Sequence, residues 1–225
     1  IVHLISQQKI DSLKKLLPLS NNDTTIIGIY GLIGDEFYYS GVNDSATFYW
    51  EEAKEIALAT KHRELPQIYN FVINKKLAVL YNDIAYLKIS KGDFNGAVNY
   101  FNECIYLKQK TNDIEGEIQS YTNLGYLYII KNQIDSALIY NITSYKLAKQ
   151  NNLEDLAAVS AMQIGVLHTK SGAINQALKR LNESAKHFEQ SNNTKALSVA
   201  YNNMAKAYEE IDKNNVALEY FFKSL

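Results

Sequence analysis

Proline and cysteine are both scarce in this chain of 225 residues, which contains only Pro18, Pro66 and Cys104. With two prolines and ten glycines, most of the chain carries no residue that would break a helix. A single cysteine excludes an intramolecular disulfide framework and any zinc site built on several cysteines. One thiol does not decide the compartment. We expect a cytoplasmic protein, with a periplasmic sensor region as the alternative.

An excess of charge of one sign is also lacking. Lys and Arg number 23 and Asp and Glu number 24, so the formal net charge is -1. Such a chain has no long-range field that would favour nucleic acid or anionic lipid. The longest apolar runs, such as LGYLYII at 124–130, fall far short of the roughly 20 residues needed to cross a bilayer. We therefore expect a protein or peptide partner that is recognised through local contacts.

The two ends of the chain resemble cut points. The sequence begins at Ile1 without a methionine and stops at Leu225, within the helix-like stretch FFKSL. The expectation is a fragment of a longer protein, in which an anchor or an output domain could lie beyond either end.

The stretch KISKGDFNGAVNYF at 88–101 resembles a calcium loop, because it combines Asp93 with asparagine and two glycines. If Gly96 is the turn glycine, the first ligand position falls on Lys91 and the twelfth on Asn102. A cation and an amide then stand where the loop needs carboxylates. The stretch instead predicts a turn between two helices, with Gly92 in a left-handed backbone conformation and Asp93 capping the second helix.

A repeat of 40 residues is the strongest pattern in the sequence. Alanines that each follow a turn recur at this interval, at Ala97, Ala137, Ala177 and Ala217. Sixteen residues before each alanine stand Tyr81, Tyr121, Ala161 and Tyr201. A large residue followed by a small one comes three positions later, in the pairs Ile84-Ala85, Leu124-Gly125, Ile164-Gly165 and Met204-Ala205. Small residues at fixed positions allow two helices to approach closely.

These copies resemble the tetratricopeptide repeat (TPR) family, whose pattern is an aromatic residue, Leu-Gly, Tyr, and then Ala with a downstream aromatic residue. The segments YGLIGDEF at 30–37, YTNLGYLY at 121–128 and YNNMAKAY at 201–208 carry the resemblance. Lys88 and His168 replace the expected Tyr, and Asn141 and Leu181 replace the later aromatic residue. The resemblance implies an all-α, right-handed superhelical solenoid of antiparallel helix pairs.

The register predicts a single solenoid over residues 1–225. Its parts are a partial repeat at 1–20, repeats at 24–62, 66–112, 113–152 and 153–192, and a truncated repeat at 193–225. Repeats of this length resemble those in bacterial peptide-sensing regulators and in sensor regions of some histidine kinases. Ala46 and Ala97 lie 51 residues apart, which is an excess of about three helical turns. We therefore expect the helix after Pro66 to be extended across Ile68 to Lys76 and to protrude.

In the TPR family the first helix of each pair lines a concave groove, and the register carries this role onto specific residues. The implied peptide-binding positions are Asn82, Asp83, Tyr86, Thr122, Asn123, Tyr126, Met162, Gln163, Val166, Lys170, Asn202, Asn203 and Lys206. Asp83, Asn123, Gln163 and Asn203 recur every 40 residues as a polar ladder. A side-chain amide both donates and accepts, which suits the backbone of an extended peptide. The alternative is that these amides bond neighbouring helices or water.

These positions lead to several hypotheses about the function of the chain. The leading one is a non-catalytic scaffold that binds an extended protein or peptide segment in the groove. The alternative is a sensory or dimerising TPR region of a bacterial histidine kinase or transcription regulator, and a homodimeric spacer is a third. The four histidines lack the three- or four-residue spacing of metal ligands on a helix, and no nucleophile has a recognisable base beside it. We expect no cofactor, no metal and no catalysis.

Overall fold

The computed structural model describes residues 2–63 and 66–225, and eleven α-helices account for most of these two ranges. They are α1 (Val2–Leu16), α2 (Asp23–Tyr39), α3 (Asn43–Lys61), α4 (Gln67–Ser90), α5 (Phe94–Lys110), α6 (Ile114–Ile130), α7 (Ile134–Gln150), α8 (Glu154–Lys170), α9 (Ile174–Gln190), α10 (Thr194–Glu209) and α11 (Asn214–Lys223). No strand occurs in the described ranges. The predicted all-α, TPR-like fold class is confirmed.

The helices pack as consecutive hairpins in two compact units, and the boundary between the units in the sequence falls between Asp113 and Ile114. The first unit contains the hairpins α2–α3 and α4–α5, with α1 packed on α2. The second contains α6–α7, α8–α9 and α10–α11. We call α2, α4, α6, α8 and α10 the first helices and their successors the second helices. The prediction of a single solenoid with the repeat boundaries given above stays a prediction.

Left-handed backbone conformations mark the turns between the helices. Asn112, Asn152 and Asn192 have φ of 51°, 57° and 55° and recur every 40 residues after a second helix. Gly92 has φ of 75°, as predicted for the turn between α4 and α5. An Asp93 carboxylate oxygen accepts the Gly96 amide N–H at 2.9 Å, which caps α5. The stretch that resembles a calcium loop is therefore the turn of a helical hairpin.

Small residues lie where the two helices of a hairpin approach most closely. A Cβ atom at Gly165 would lie 2.6 Å from Leu181 Cγ, and one at Gly34 would lie 2.3 Å from Trp50 Cδ1. The repeat alanine Ala97 is fully buried. The large residue of the second helix thus occupies the space that the missing side chain leaves, and the predicted packing role of the repeat positions is confirmed.

Helix α4 is extended as predicted: it has 24 residues, whereas α6 has 17. Ile68 is 65% exposed, but Ile73 is fully buried in the core of the first unit. Only the first turns of α4 therefore protrude, because the helix packs from Ile73 onwards. Within the two described ranges, no helix has the length and apolar character that a membrane span requires.

Candidate functional site

A cavity of about 300 Å³ lies between the first helices α2 and α4 of the first unit. On α2 it is lined by Gly28 and Gly31, which are one turn apart. The Lys76 ammonium lies beside Gly28, whereas a Cβ atom at Gly31 would make only an ordinary contact, at 3.8 Å from Leu80 Cδ2. Leu32 on α2 and Val79 on α4 form apolar walls. These two side chains remain 49% and 52% exposed, so the cavity opens to solvent through an apolar rim.

Two carboxylates, Asp35 on α2 and Asp83 on α4, border the same cavity. Asp35 Oδ1 accepts a hydrogen bond from the indole Nε1 of the buried Trp50 at 3.0 Å. Trp50 Nε1 also donates to the backbone oxygen of Gly31 at 3.1 Å, so one indole ties the carboxylate to the glycine face of α2. Asp83 Oδ1 accepts from the side-chain amide of Asn82 at 3.2 Å.

Burial raises the pKa of both carboxyl groups. The pKa of Asp83 rises from 3.8 to about 6, chiefly through loss of solvation and further through the charge of Asp35, while the Asn82 amide opposes the rise. The pKa of Asp35 is also raised by burial, and the hydrogen bond from Trp50 opposes that rise. Above its pKa of about 6 the Asp83 carboxylate is a poorly solvated anion beside Asp35, and such a position is costly unless a cation or further donors reach it.

A second, smaller cavity of about 70 Å³ adjoins the carboxylates on their aromatic side. Its lining consists of Asp35, Asp83, Trp50, Tyr38, Tyr39 and Tyr86. The Tyr38 ring packs against Trp50 with centroids 5.5 Å apart, and the Tyr86 ring meets Phe101 edge-on at 5.7 Å. The carboxylates thus lie between an apolar cavity and an aromatic one.

In the described ranges, no cation forms an ion pair with either aspartate, although the charge of Lys9 lowers the pKa of Asp35. Among the described residues, no lysine or arginine nitrogen lies within 4 Å of the carboxylate oxygens of Asp35 or Asp83. The neighbouring Glu36, in contrast, pairs with Lys9 from α1. Lys76 lines the apolar cavity without forming an ion pair with either aspartate.

In the second unit, the first-helix face is formed by α6, α8 and α10, because α8 contacts both of the other two helices. Gln163 on α8 and Asn203 on α10 are half-buried on this face. Asn123 on α6 is only 5% exposed, and its Oδ1 accepts a hydrogen bond from Gln119 at 3.0 Å. Of the three ladder amides in this unit, Gln163 and Asn203 are therefore the more accessible.

The remaining predicted positions divide by accessibility. Thr122 bonds the hydroxyl of Ser144 on α7 at 2.9 Å, and Met162 packs in an apolar cluster with Leu181 and Met204. The side chains that reach solvent are Tyr126, Lys170 and Lys206, while Val166 and Asn202 are half-buried. The predicted peptide-binding role of all thirteen positions stays a prediction.

Asp35, Gly28 and Gly31 are absent from the sequence-based site. The signal was present in the register, because Asp35 stands 51 residues before Tyr86 and therefore at the equivalent repeat position. The sequence does not reveal that the two glycines meet α4 across an open space. That juxtaposition depends on how α2 and α4 pack.

Comparisons with known proteins agree with this architecture. A sequence model described as tetratricopeptide repeat matches residues 78–111 and 118–151. A search of curated protein sequences found no match. The two matched segments are tetratricopeptide repeats, and the predicted resemblance to the TPR family is confirmed.

Three solved structures illustrate the likeness. BtubC from P. vanneervenii has 13% identity and a TM-score of 0.76, over 99% of this chain and 87% of that one. The apo form of RapI has 17% identity and a TM-score of 0.79, over 97% and 58%. A signal transduction ATPase from Pyrococcus horikoshii with a tetratricopeptide repeat sensor has 16% identity and a TM-score of 0.81, over 97% and 33%. At such identities the likeness shows the fold alone.

Proposed function

We propose that this chain is a non-catalytic scaffold that binds an extended segment of a protein or peptide against its first-helix face. The observation that supports this proposal is the cavity of about 300 Å³ between α2 and α4, which joins apolar walls to a few polar groups. Ligand sites in proteins commonly combine an apolar concavity with a small number of polar groups that fix orientation. Of the predicted positions, Asp83 borders both cavities and Tyr86 borders the smaller one.

The amides of the second unit extend this proposal. Gln163 and Asn203 stand on adjacent first helices, at equivalent positions of the repeat. An extended segment leaves backbone N–H and C=O groups unpaired, and a side-chain amide can satisfy one of each. Such hydrogen bonds would hold the backbone of the bound segment whatever its sequence. Selectivity for particular side chains of the segment would have to come from other residues on the same face.

A second candidate function is a sensory or dimerising region that controls an output domain outside this chain. It is supported by the likeness of this chain to the Pyrococcus horikoshii signal transduction ATPase, which has a tetratricopeptide repeat sensor. Sedimentation equilibrium of the 225-residue chain discriminates the dimerising form of this hypothesis. A monomer over the micromolar range would argue against it, and a dimer would favour it.

Display selection tests the leading proposal. Short random peptides are selected on the immobilised chain, and the recovered peptides are measured against variants by fluorescence anisotropy. Gln163→Ala with Asn203→Ala should weaken peptides that occupy the second unit. The matched control is Gln176→Ala with Asn182→Ala, which removes the same two residue types from the exposed surface of α9. Equal weakening by both pairs, or failure to recover any peptide, would contradict the proposal.

A further inference from the structure

We propose that the cavity between α2 and α4 receives a lysine or arginine side chain of the bound segment, together with a neighbouring apolar side chain. The basic group would contact Asp35 and Asp83, and the apolar group would lie against Leu32 and Val79. This inference rests on the proposed function and adds the chemistry of the partner.

Charge complementarity selects a cationic occupant. Among the residues that the structure describes, Asp35 and Asp83 accept hydrogen bonds from two neutral donors, Trp50 and Asn82, although both carboxylates are half-buried. The nearby cation Lys9 is engaged by Glu36 and acts on Asp35 only through its charge. The Lys76 ammonium lines the same cavity beside Gly28, two helical turns before Asp35, and pairs with neither aspartate. The free-energy cost of removing a carboxylate from water is best offset when a cationic donor bonds to it directly, because charge-assisted hydrogen bonds are stronger than neutral ones.

The aromatic side of the site favours the same occupant. Tyr38 and Tyr86 line the smaller cavity beside both carboxylates. An ammonium or guanidinium group is attracted to the face of an aromatic ring, while its methylene chain can lie along apolar surface. The apolar and aromatic cavities on either side of the two aspartates therefore suit both the stem and the head of a long basic side chain.

An apolar neighbour is expected because the larger cavity is wider than such a stem needs. Its volume of about 300 Å³ is bounded by apolar side chains, with Gly31 exposed in its wall and the Lys76 ammonium beside Gly28; the apolar side chains are Ile27, Leu32, Val79 and Leu80. An additional aliphatic or aromatic side chain would bury the exposed apolar rim and remove it from water, which favours binding. We therefore expect a bound segment in which a basic residue lies within two positions of an apolar one.

Two peptide libraries on one random scaffold test this inference. One library carries a fixed central arginine, and the other carries citrulline, which has nearly the same shape without the charge. The wild-type chain should retain the arginine library at least about tenfold more strongly. Asp35→Asn with Asp83→Asn should abolish this preference, because an amide keeps the shape of each side chain and removes its charge.

The control pair is Asp11→Asn with Asp135→Asn, which changes the net charge equally at two exposed positions. This pair should keep the arginine preference, and its loss would attribute the preference to overall charge and overturn the inference. Equal retention of both libraries by the wild type would also overturn it, and would leave the proposed function standing. Retention of neither library would overturn both. Circular dichroism of each variant establishes that the helices are intact.

Discussion

The indole N–H of Trp50 is held between the Asp35 carboxylate at 3.0 Å and the Gly31 backbone oxygen at 3.1 Å. Trp50 lies on α3 and is 2% exposed, so a residue of the second helix reaches through the hairpin to a group on the first-helix face. This contact links the packing of the repeat to the candidate site, because the same ring also fills the space beside Gly34.

Replacing Trp50 with phenylalanine should therefore affect both stability and the site. Trp50→Phe leaves the Gly31 oxygen and Asp35 without their indole donor, and we expect a loss of about 1–3 kcal/mol in the free energy of unfolding. The pKa of Asp35 should rise further, because the Trp50 hydrogen bond lowers it. Urea denaturation and carboxyl NMR measure the two effects. Tyr39→Phe, at a ring that is 79% exposed, is the control, and an equal loss there would contradict this account.

Stability should depend on pH through Asp83. Its native pKa of about 6 lies above the ordinary 3.8, so its contribution to stability is fully present below pH 3.8 and is lost as the pH rises through 6. Asp83→Asn removes this loss. The stability of the variant relative to the wild type should therefore increase between about pH 4 and pH 7, by on the order of 2 kcal/mol.

Asp93 provides a control at which the dependence of stability on pH should have the opposite sign. The Gly96 amide and then Lys88 lower the pKa of Asp93, so its contribution is present at neutral pH and is lost as the pH falls through its native pKa. Asp93→Asn should be less stable than the wild type at neutral pH, and the difference should shrink in acid. Thermal unfolding across the pH range checks both variants. A pH-independent difference for Asp83→Asn would contradict the burial of its charge.

Replacement of glycine by alanine should have opposite effects on stability at two positions. A Cβ at Gly31 would lie 3.8 Å from Leu80 Cδ2, an ordinary contact, so Gly31→Ala should stabilise α2 by about 0.5–1 kcal/mol. A Cβ at Gly165 would lie 2.6 Å from Leu181 Cγ, so Gly165→Ala should destabilise the α8–α9 hairpin by about 1–3 kcal/mol. Chemical denaturation measures both, and equal signs would contradict the packing described for one of them.

Filling the cavity tests its role without changing any charge. Gly31→Leu adds a side chain that points between α2 and α4, and we expect it to weaken arginine and citrulline peptides alike by about tenfold or more. Gly31→Ala is the matched control and should retain most of the binding, because a methyl group fills little of the space. Unchanged binding by the leucine variant would show that the bound segment lies elsewhere.

The repeat itself could be predicted from the sequence because the packing of each hairpin is local. Gly92 and Ala97 have the backbone conformation and burial that their positions in the 40-residue repeat predict. Only a few neighbouring residues decide these features, so the pattern of residue types is sufficient. The extended α4 was predictable for the same reason, since a whole number of turns keeps its buried face in register.

The candidate site was less predictable because it depends on contacts between repeats. Register alone made Asn123 and Gln163 equivalent, but Asn123 is buried and bonded to Gln119 whereas Gln163 is half-exposed. Asp35 stands where the next two repeats carry Tyr86 and Tyr126, and its proximity to Asp83 follows from the packing of α2 on α4. The composition of neighbouring side chains, and not the repeat pattern, determines which equivalent position becomes accessible.

Site-specific photo-crosslinking tests the central claim most directly. A photoreactive residue is introduced at Val79 or Gln163 on first helices, or at the exposed Ile139 or Asn182 on second helices, and each chain is irradiated with a tagged peptide from the selection. Binding to the first-helix face predicts crosslinks from Val79, Gln163 or both, and none from the second-helix positions. Crosslinks from Ile139 or Asn182 in place of the first-helix positions would contradict it.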